Sequence, residues 1–489
     1  MLKNPVYKQA VKNLVLLILA IALTRFTKGL WLGVMTIAGV VWALSNKPGK
    51  ALAVYLMIIS MVGLNPIMLP MGGFFGHLVR FGPLLIGLAL MLRGLSSGGQ
   101  SRVPFGMLIA YLLVASISSI GGWAPMVSYL KLINFLVFML GLWFGLQALG
   151  KDEDGVAYLR ATFLSYAIFM IAGSAILLPF PSIATLSGVE LALREGNLEA
   201  ASAAMLTEEG SVALFCGVTR QSQALAVYAG IILAWLLADM LFVEKRFSRL
   251  HMILLIVGVP LLYLTRSRVG LLTLMIGVVM CALWLPNKIN LPFVIKRHLK
   301  TGVSVMIMLG LVAGAWSEIS SDSISQWLRK VEDVEGDNRS LSEAVTSSRQ
   351  ALLEESMRDF RRNPLFGSGF QVAEYTADQV ARSGSSFIIS APIEKGVLPM
   401  MVLGETGVVG AIVFAIFLIS FYTTSSRRRL YVTAALFTVL LATNMGEATF
   451  FSPGGGGGLL WTVSIVGGYC IDMTLSHERR PRWQMINQV

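Results

Sequence analysis

The sequence predicts an all-α, polytopic membrane helical bundle. The 489-residue chain is 55% hydrophobic and only 13% charged, and its mean hydropathy is +0.71. A soluble protein of this length could not cover its core with so few charges. Apolar runs of membrane-spanning length recur along most of the chain. We therefore expect about 12–14 transmembrane helices and one large, partly helical extramembrane loop.

Fourteen apolar segments are candidate spans, and they divide the chain into three parts. Residues 1–316 hold eleven spans and an outer loop near 180–220, residues 317–397 form the large loop, and residues 398–489 hold three spans and a tail. The first segment has the basic flank of a cleaved signal peptide, but with so many spans after it we favour a retained helix. The segments lie near residues 12–24, 29–45, 50–69, 79–93, 104–121, 127–149, 156–179, 221–242, 249–265, 268–286, 301–316, 398–421, 429–447 and 459–475.

Topology explains the net charge of +12. If the N-terminus faces the cytoplasm, most basic residues fall on that side, which is the positive-inside bias of membrane proteins. Both termini are then cytoplasmic, residues 317–397 lie outside, and no nucleic-acid partner is needed. The inside basic residues include Lys47, Lys50, Arg93, Arg102, Lys245, Arg246, Arg249, Lys288, Lys296, Arg297, Lys300 and Arg427–Arg429.

Two arginines lie in a short turn on the predicted outer side. The stretch "LLYLTRSRVGLLTLMIG", residues 261–277, places Arg266 and Arg268 between two apolar runs. Positive charge is not required for topology on that side. Each arginine could simply extend to the lipid interface at modest cost, and for a single arginine that is the simpler explanation. Two arginines in so tight a turn favour an anionic partner.

The large outer loop contains two amphipathic patterns. The stretch "SISQWLRKVEDVEG" places apolar residues of 324–334 on one face, which predicts a short helix near the outer surface. The stretch "TSSRQALLEESMRDFRRNPLFGSGF" predicts a second helix. Ser347 and Gln350 fit a capping box at its start, and Asn363-Pro364 ends it. The following "GSG" permits a tight turn.

Arg349 falls in the first turn of that predicted helix. The helix dipole disfavours a cation there by about 0.3–1 kcal/mol. A bound anion reverses the sign, because free N–H groups and the guanidinium then converge on it. Pairing with Glu354 or another acid of the loop is the alternative, and spacing alone does not decide between the two.

Several motifs follow one another in a fixed order. "LTRSRVGLLTL" precedes the large loop, "SRQALLEESMRDFRRNPLFGSGF" lies within it, and "EKGVLPMMVLGETGVVG" leads into the next span with a Glu-x-Gly-x-x-Gly pattern at Glu405, Gly407 and Gly410. Order and spacing together resemble the O-antigen ligase and polymerase superfamily. "CGVTRQSQALAVYAG" lies where members of that family carry an Asn-Pro-Asn-like motif. The resemblance covers residues 210–425, approximately.

The resemblance implies a C-type glycosyltransferase fold that acts on the outer face of the bacterial inner membrane. The implied donor is a glycan on undecaprenyl diphosphate, and the lipid diphosphate is the leaving group. No metal or nucleotide cofactor is implied. Arg268, helped by Arg266 and Arg349, is then expected to bind and neutralise the diphosphate. A guanidinium suits this role because it stays charged and binds phosphate through two hydrogen bonds.

One position departs from the family pattern. Ligases of the family usually carry a histidine before the span that follows the large loop, as a candidate base, whereas this chain has Gly396 about there. The available carboxylates are Glu405, inside a predicted span where ionisable groups are costly and usually functional, and Glu394 in the loop. Lys395 could contact a donor phosphate. Arg220, at the outer end of another span, could extend the basic site.

Two further features carry no cofactor site. Cys216, Cys281 and Cys470 are scattered, and they suggest neither a metal centre nor a disulfide framework. "FSPGGGGGLL" lacks the Gly-Lys-Ser/Thr of a phosphate-binding loop. We interpret it as a mobile turn, or as a place where backbone meets glycan.

Three functions remain open at this point. The favoured one is a polysaccharide polymerase, which joins one lipid-linked glycan to another. The second is a ligase that transfers the glycan to a lipid A core or another acceptor. The third is a transporter or flippase for lipid-linked sugars, for which paired broken helices in two halves would be more typical. The expected partners are the lipid-linked donor, the acceptor glycan and the bilayer, with chain-length regulators or export proteins as further candidates.

Overall fold

The computed structural model describes residues 4–69, 73–96, 103–186, 214–244, 248–284, 341–374, 376, 397–446, 449–454 and 456–478. Within these ranges the side chains of residues 73–77, 79–80 and 341–351 are left out. The helices are α1 (Pro5–Phe26), α2 (Leu30–Leu44), α3 (Pro48–Val62), α4 (Gly73–Ser96), α5 (Gly106–Ile120), α6 (Pro125–Leu149), α7 (Glu153–Ile176), α8 (Pro181–Ala184), α9 (Ser222–Ala238), α10 (Arg249–Leu264), α11 (Arg268–Val279), α12 (Leu341–Arg362), α13 (Leu398–Arg427), α14 (Tyr431–Thr443), α15 (Gly456–Trp461) and α16 (Gly468–Glu478). π-Helical turns extend α9 over Asp239–Glu244 and α11 over Met280–Trp284, and a third over Thr462–Gly467 joins α15 to α16.

This architecture confirms the predicted all-α, multi-pass membrane bundle. Among the described residues, thirteen of the predicted apolar segments form helices, and the segment at 301–316 lies outside that part of the chain. Six of these helices are long and apolar enough to cross a membrane, and seven more are apolar but shorter, at 10–17 residues. Helix α1 begins earlier than the predicted span at 12–24, because Pro5 opens it and the Asn4 side chain accepts a hydrogen bond from Val6 N at 2.9 Å.

Small residues set the closest helix packing near the candidate site. A Cβ on Gly270 would lie 2.6 Å from Ala226 Cβ, and one on Gly277 would lie 2.5 Å from Ala234 Cβ. Both contacts join α11 to α9, and they advance in the same direction along the two helices. The helices are therefore parallel, and their N-termini lie side by side. Close approach of small residues is the usual basis of helix association in lipid.

An aromatic core fills the space between α5, α6, α13 and α15. Phe451 contacts Tyr111, Phe135 and Phe370 with ring centroids 5.2–5.3 Å apart. Phe450 lies 4.7 Å from Trp461 by the same measure. The core therefore reaches from the spans to the segment after α12 and to the chain between α14 and α15. These offset and edge contacts add to the stabilisation from burial alone.

Two short antiparallel strands pair at the base of the predicted outer loop at 180–220. β1 (Thr185–Leu186) pairs with β2 (Leu214–Phe215). An isolated bridge joins Leu64, just after α3, to Thr219, and the Asn65 side chain donates to Ile183 O at 2.7 Å. The start of α9 is thereby fixed against the end of α3.

Two buried carboxylates stabilise the opposite, predicted cytoplasmic end. Asp239 accepts from Arg160 Nε at 2.6 Å and lies 3.0 Å from His251 Nε2. Asp472 accepts from Val432 N at 3.0 Å and from Thr433 N at 2.9 Å, so it satisfies free N–H groups at the start of α14 from another helix. Buried charges need such partners in a bundle of this polarity.

Candidate functional site

The turn that contains Arg266 and Arg268 (residues 265–268), which we call the arginine turn, lies between α10 and α11. Arg266 adopts a left-handed backbone conformation, with φ of 51°, and this reverses the chain between the two helices. Thr265 and Ser267 are buried, and Ser267 N lies 3.4 Å from Thr265 Oγ1. Arg266 and Arg268 are partly exposed. Arg268 is the first residue of α11, so its charge lies beside the free N–H groups of that helix.

Arg220 lies at the same end of the bundle. Its backbone N–H donates to Gly63 O at 2.8 Å, two residues before α9 begins. Because α9 and α11 are parallel and Ala226 packs on Gly270, the N-termini of both helices and the three arginines 220, 266 and 268 share one end of this pair. Helix N-termini carry partial positive charge. The structure thus brings three predicted site arginines together at one end of this helix pair.

Glu405 lies in α13, just before a break in that helix. Gly407 has φ of 63° and ψ of −166°, which no helix contains, so α13 consists of two helical pieces. Glu405 itself is completely buried, with 0% of its surface exposed. The apolar run continues on both sides of the break, and the sequence therefore predicted a single span.

The predicted "GSG" turn fills this break. In an unbroken helix, Val408 N would bond to Gly404 O and Val409 N to Glu405 O. Here Gly404 O and Glu405 O instead accept from Ser368 N at 2.9 Å and Gly369 N at 3.1 Å. The two freed donors bond to Pro364 O at 2.9 Å and Leu365 O at 3.3 Å. Residues 364–369 therefore replace, bond for bond, what the helix loses.

Glycine is required at both sides of this contact. Gly367 has φ of 74°, and a Cβ there would overlap the backbone of Glu405. A Cβ on Gly407 would overlap the backbone of Leu365. The Pro-x-x-Gly-x-Gly and Glu-x-Gly patterns in the sequence are thus two halves of one interlocked structure, which we call the turn–helix junction (residues 364–369 and 404–409).

Polar side chains surround the turn–helix junction. Gln371, whose φ of 54° is unusual for a residue other than glycine, places Nε2 3.5 Å from Glu405 Oε1. Ser368 Oγ donates to Asp359 at 2.9 Å, and Trp123 Nε1 donates to the same carboxylate at 2.9 Å. Asp359 therefore ties α12 both to the turn and to the α5–α6 connection. Sequence analysis did not single out these residues, because nothing local marks their partners, which are up to 236 positions away.

Of the two predictions about the ends of the second helix in the large loop, one is wrong and one is confirmed. Helix α12 begins at Leu341, so Ser347 and Gln350 lie inside it and the predicted capping box is wrong. Arg349 is accordingly in the helix interior, where the argument from the first-turn dipole does not apply. The predicted end is confirmed, since α12 stops at Arg362, just before Asn363-Pro364.

Some predicted residues lie outside the described part of the chain. They are Glu394, Lys395, Gly396 and the helix predicted near 324–334, and the side chain of Arg349 is likewise not described. The three cysteines are buried, and none of them is in a disulfide bond. Within the described ranges, no group of three or more His, Cys, Asp or Glu residues is placed to hold a metal ion.

The prediction of a mobile glycine-rich turn is wrong. Ser452, Pro453 and Gly454 are buried, and Gly456 begins α15. A Cβ on Gly457 would overlap Thr449 O, and one on Gly456 would overlap the Tyr228 hydroxyl on α9. The glycines are needed for tight packing, since any side chain would push α15 away from its neighbours.

A protein-family model matches part of the chain. Residues 253–415 match a protein-family model described as O-antigen ligase. This range includes most of α10, the arginine turn, α12 and the turn–helix junction. No curated protein and no solved structure matches the chain. The match confirms the predicted resemblance to the O-antigen ligase superfamily and supports a membrane glycan ligase- or polymerase-type activity.

Proposed function

Because residues 253–415 carry an O-antigen ligase domain, we propose that the protein is a polysaccharide polymerase. It transfers a glycan from an undecaprenyl-diphosphate donor to a second lipid-linked glycan on the outer face of the bacterial inner membrane, with both termini of the chain in the cytoplasm. The observation that carries the proposal is the convergence of Arg220, Arg266 and Arg268 at the N-termini of two parallel helices.

This region suits the diphosphate of the donor. Three guanidinium groups and two helix N-termini supply fixed positive charge and N–H donors, which together favour a phosphate anion. In the proposed reaction, an acceptor hydroxyl oxygen attacks the anomeric carbon while the bond from that carbon to the diphosphate oxygen breaks. Negative charge then develops on the leaving diphosphate, and donors already aimed at it lower the barrier. Arg268 is the principal group in this role, and Arg349 and Lys395 are proposed helpers.

The proton of the acceptor hydroxyl needs a recipient. Glu405 and Glu394 are the carboxylates proposed to accept this proton. Glu405 is buried beneath residues 364–371, which limits the access of an acceptor to it. For Glu405 to accept the proton, the turn must lift from the helix break and admit the acceptor. Otherwise Glu394 takes this role, or positioning alone suffices, since it can supply a large part of a barrier reduction.

The arginines can be tested with a matched control. Arg268→Ala should reduce transfer by about 10²-fold or more, as does loss of one donor to a developing oxyanion, at normal protein abundance. Arg268→Lys should recover only part, because lysine lacks the planar fork. Arg249→Ala is the control, since Arg249 is exposed and is the first residue of α10, as Arg268 is of α11. Equal activity in the Arg268→Ala and Arg249→Ala variants would exclude Arg268 from the site.

The product formed tests polymerase against ligase. Purified protein given only lipid-linked glycan should produce longer lipid-linked chains. The matched family is described by ligase activity, so a second reaction should contain a lipid A core acceptor. Transfer exclusively in that second reaction would reject the polymerase and establish the ligase alternative.

The base can be tested separately. Replacing the true base should slow turnover by about 10²–10⁴-fold while donor binding persists. Glu405→Gln and Glu394→Gln are the variants, with donor binding measured alongside transfer. Wild-type turnover in both variants would reject a carboxylate base.

A further inference from the structure

The C-terminal turn of α12 presents positive charge at the surface. Arg358, Arg361 and Arg362 are exposed. Asp359, between them, is buried and accepts from Trp123 and Ser368, so its charge faces inward. Glu354 lies one helical turn before Arg358, a spacing at which opposite charges attract. We therefore treat Arg361 and Arg362 as the arginine pair.

Trp123 orients one member of this pair. The guanidinium carbon of Arg362 lies 3.7 Å from the centroid of the Trp123 ring. The ring then covers one face of the Arg362 guanidinium. The N–H groups lie in the guanidinium plane, where they can still donate to an anion. Trp123 is itself fixed by the hydrogen bond from Nε1 to Asp359 at 2.9 Å. The arrangement holds a planar set of donors in a defined orientation.

In the predicted topology, the arginine pair falls near the outer boundary of the membrane. After the break at Gly407, residues 408–427 complete α13. Twenty helical residues span about 30 Å, the thickness of the hydrocarbon layer. Pro364 O bonds to Val408 N, so Arg362 lies two residues before the point where the chain contacts the start of this stretch. Leu365 is 60% exposed close by, which suits contact with lipid chains.

The arginine pair and the arginine turn contact different helices around α13. Helix α11 packs on α14, α14 packs on α13, and α13 packs on α5. The arginine turn leads into α11. The arginine pair lies over the connection after α5, through Trp123. In this packing order α13, which carries Glu405, comes between the helix that follows the arginine turn and the helix that precedes Trp123.

We propose that Arg361 and Arg362, with Trp123, bind the diphosphate of the acceptor lipid. This inference rests on the proposed polymerase function, in which both substrates carry a lipid diphosphate. Two such anions repel one another, so they need separate basic sites with the reacting sugars between them. A second diphosphate site distinguishes lipid-to-lipid transfer from transfer to an acceptor without that group.

Two simpler explanations predict different results. Cations at a helix C-terminus stabilise the helix through its dipole, and lysine would do this equally well. A general attraction to anionic phospholipid would likewise depend on charge alone. A diphosphate site instead requires the arginine fork and affects one substrate only.

The experiment uses the full-length protein in nanodiscs of phosphatidylcholine, with lipid-linked glycan as donor and as acceptor. To separate the two roles, the donor glycan is radiolabelled and its acceptor hydroxyl is capped, and the acceptor has a shorter glycan joined to its diphosphate through a non-cleavable carbon linkage, so that it cannot act as donor. For Arg361→Gln/Arg362→Gln we expect the KM for acceptor to rise about thirtyfold, from the loss of two cations near phosphate, with the KM for donor unchanged. Arg361→Lys/Arg362→Lys should recover only part.

The control is Arg427→Gln/Arg428→Gln, which removes two exposed arginines from the predicted cytoplasmic end of α13. An unchanged KM for acceptor in an active Arg361→Gln/Arg362→Gln protein would overturn the inference. Full recovery by lysine, or equal competition by phosphatidylglycerol and by the diphosphate lipid, would overturn it in favour of general electrostatics. If the double variant does not fold, Arg361→Gln alone makes the same test. Absence of lipid-to-lipid transfer by the wild-type protein would instead refute the proposed function.

Discussion

Replacing Gly367 with alanine should separate the turn from the helix break. The substitution places a Cβ against the backbone of Glu405, at a residue with φ of 74°. Neither the left-handed conformation nor a backbone overlap can be relieved by rotating a side chain. The turn–helix junction must therefore open, although no polar or charged group has been removed.

The size of the effect follows from the bonds that the junction makes. Opening it breaks the four backbone hydrogen bonds at 2.9, 3.1, 2.9 and 3.3 Å. Each contributes a net of about 0.5–1.5 kcal/mol, so the free energy of docking should fall by about 2–6 kcal/mol.

Hydrogen exchange of the purified protein measures this directly. We expect the amides of Ser368, Gly369, Val408 and Val409 to exchange faster in Gly367→Ala, and transfer activity to fall with them. Gly121→Ala is the control at the same end of the bundle, because a Cβ on Gly121 would meet nothing within 4 Å. Unchanged exchange at Val408 and Val409 in Gly367→Ala would refute the interlocked arrangement.

Three other predictions concern the cap of α14, the buried ion pair and the topology. Asp472→Ala should lower the free energy of unfolding by about 0.5–2 kcal/mol, because the N-terminus of α14 loses its acceptor; an unchanged thermal midpoint would contradict this. Asp239→Asn should lower it by about 1.5–3 kcal/mol, because Arg160 loses one of its two charged partners and keeps Glu244, and equal melting of variant and wild type would reject this. A cysteine at Ser342 should react with an impermeant thiol reagent on intact cells, whereas one at Ser426 should not; the reverse pattern would invert the topology.

The features that sequence analysis predicted have local causes. Apolar length alone marks the spans, and a pair of arginines in a four-residue turn is conspicuous in a chain with so few charges. The end of α12 was predictable because proline cannot continue a helix. The tight turn at "GSG" was predictable from glycine content. What the turn does was not, since its partner is another segment.

The errors have equally specific causes. Ser347 and Gln350 have the spacing of a capping box, but Leu341, Ala344 and Val345 ahead of them already follow a helical period. The break at Gly407 has no clear signal in the hydrophobic pattern, because apolar runs lie on both sides of the short Gly404–Gly407 stretch. The glycine-rich segment suggested mobility, yet the absence of side chains is what allows α15 to pack closely.

The filled break in α13 bears on how the chain is assembled during synthesis. Residues 364–369 precede α13, so they emerge from the ribosome before the helix whose open backbone groups they occupy. Unpaired backbone groups are costly within lipid, which favours first inserting the unbroken part after Gly407, already long enough to span alone. The predicted outer part of α13 is completed later, when residues 364–369 pack against it. Any deletion in residues 370–396 that makes this return path too short would leave a correctly inserted span with an unfinished outer end.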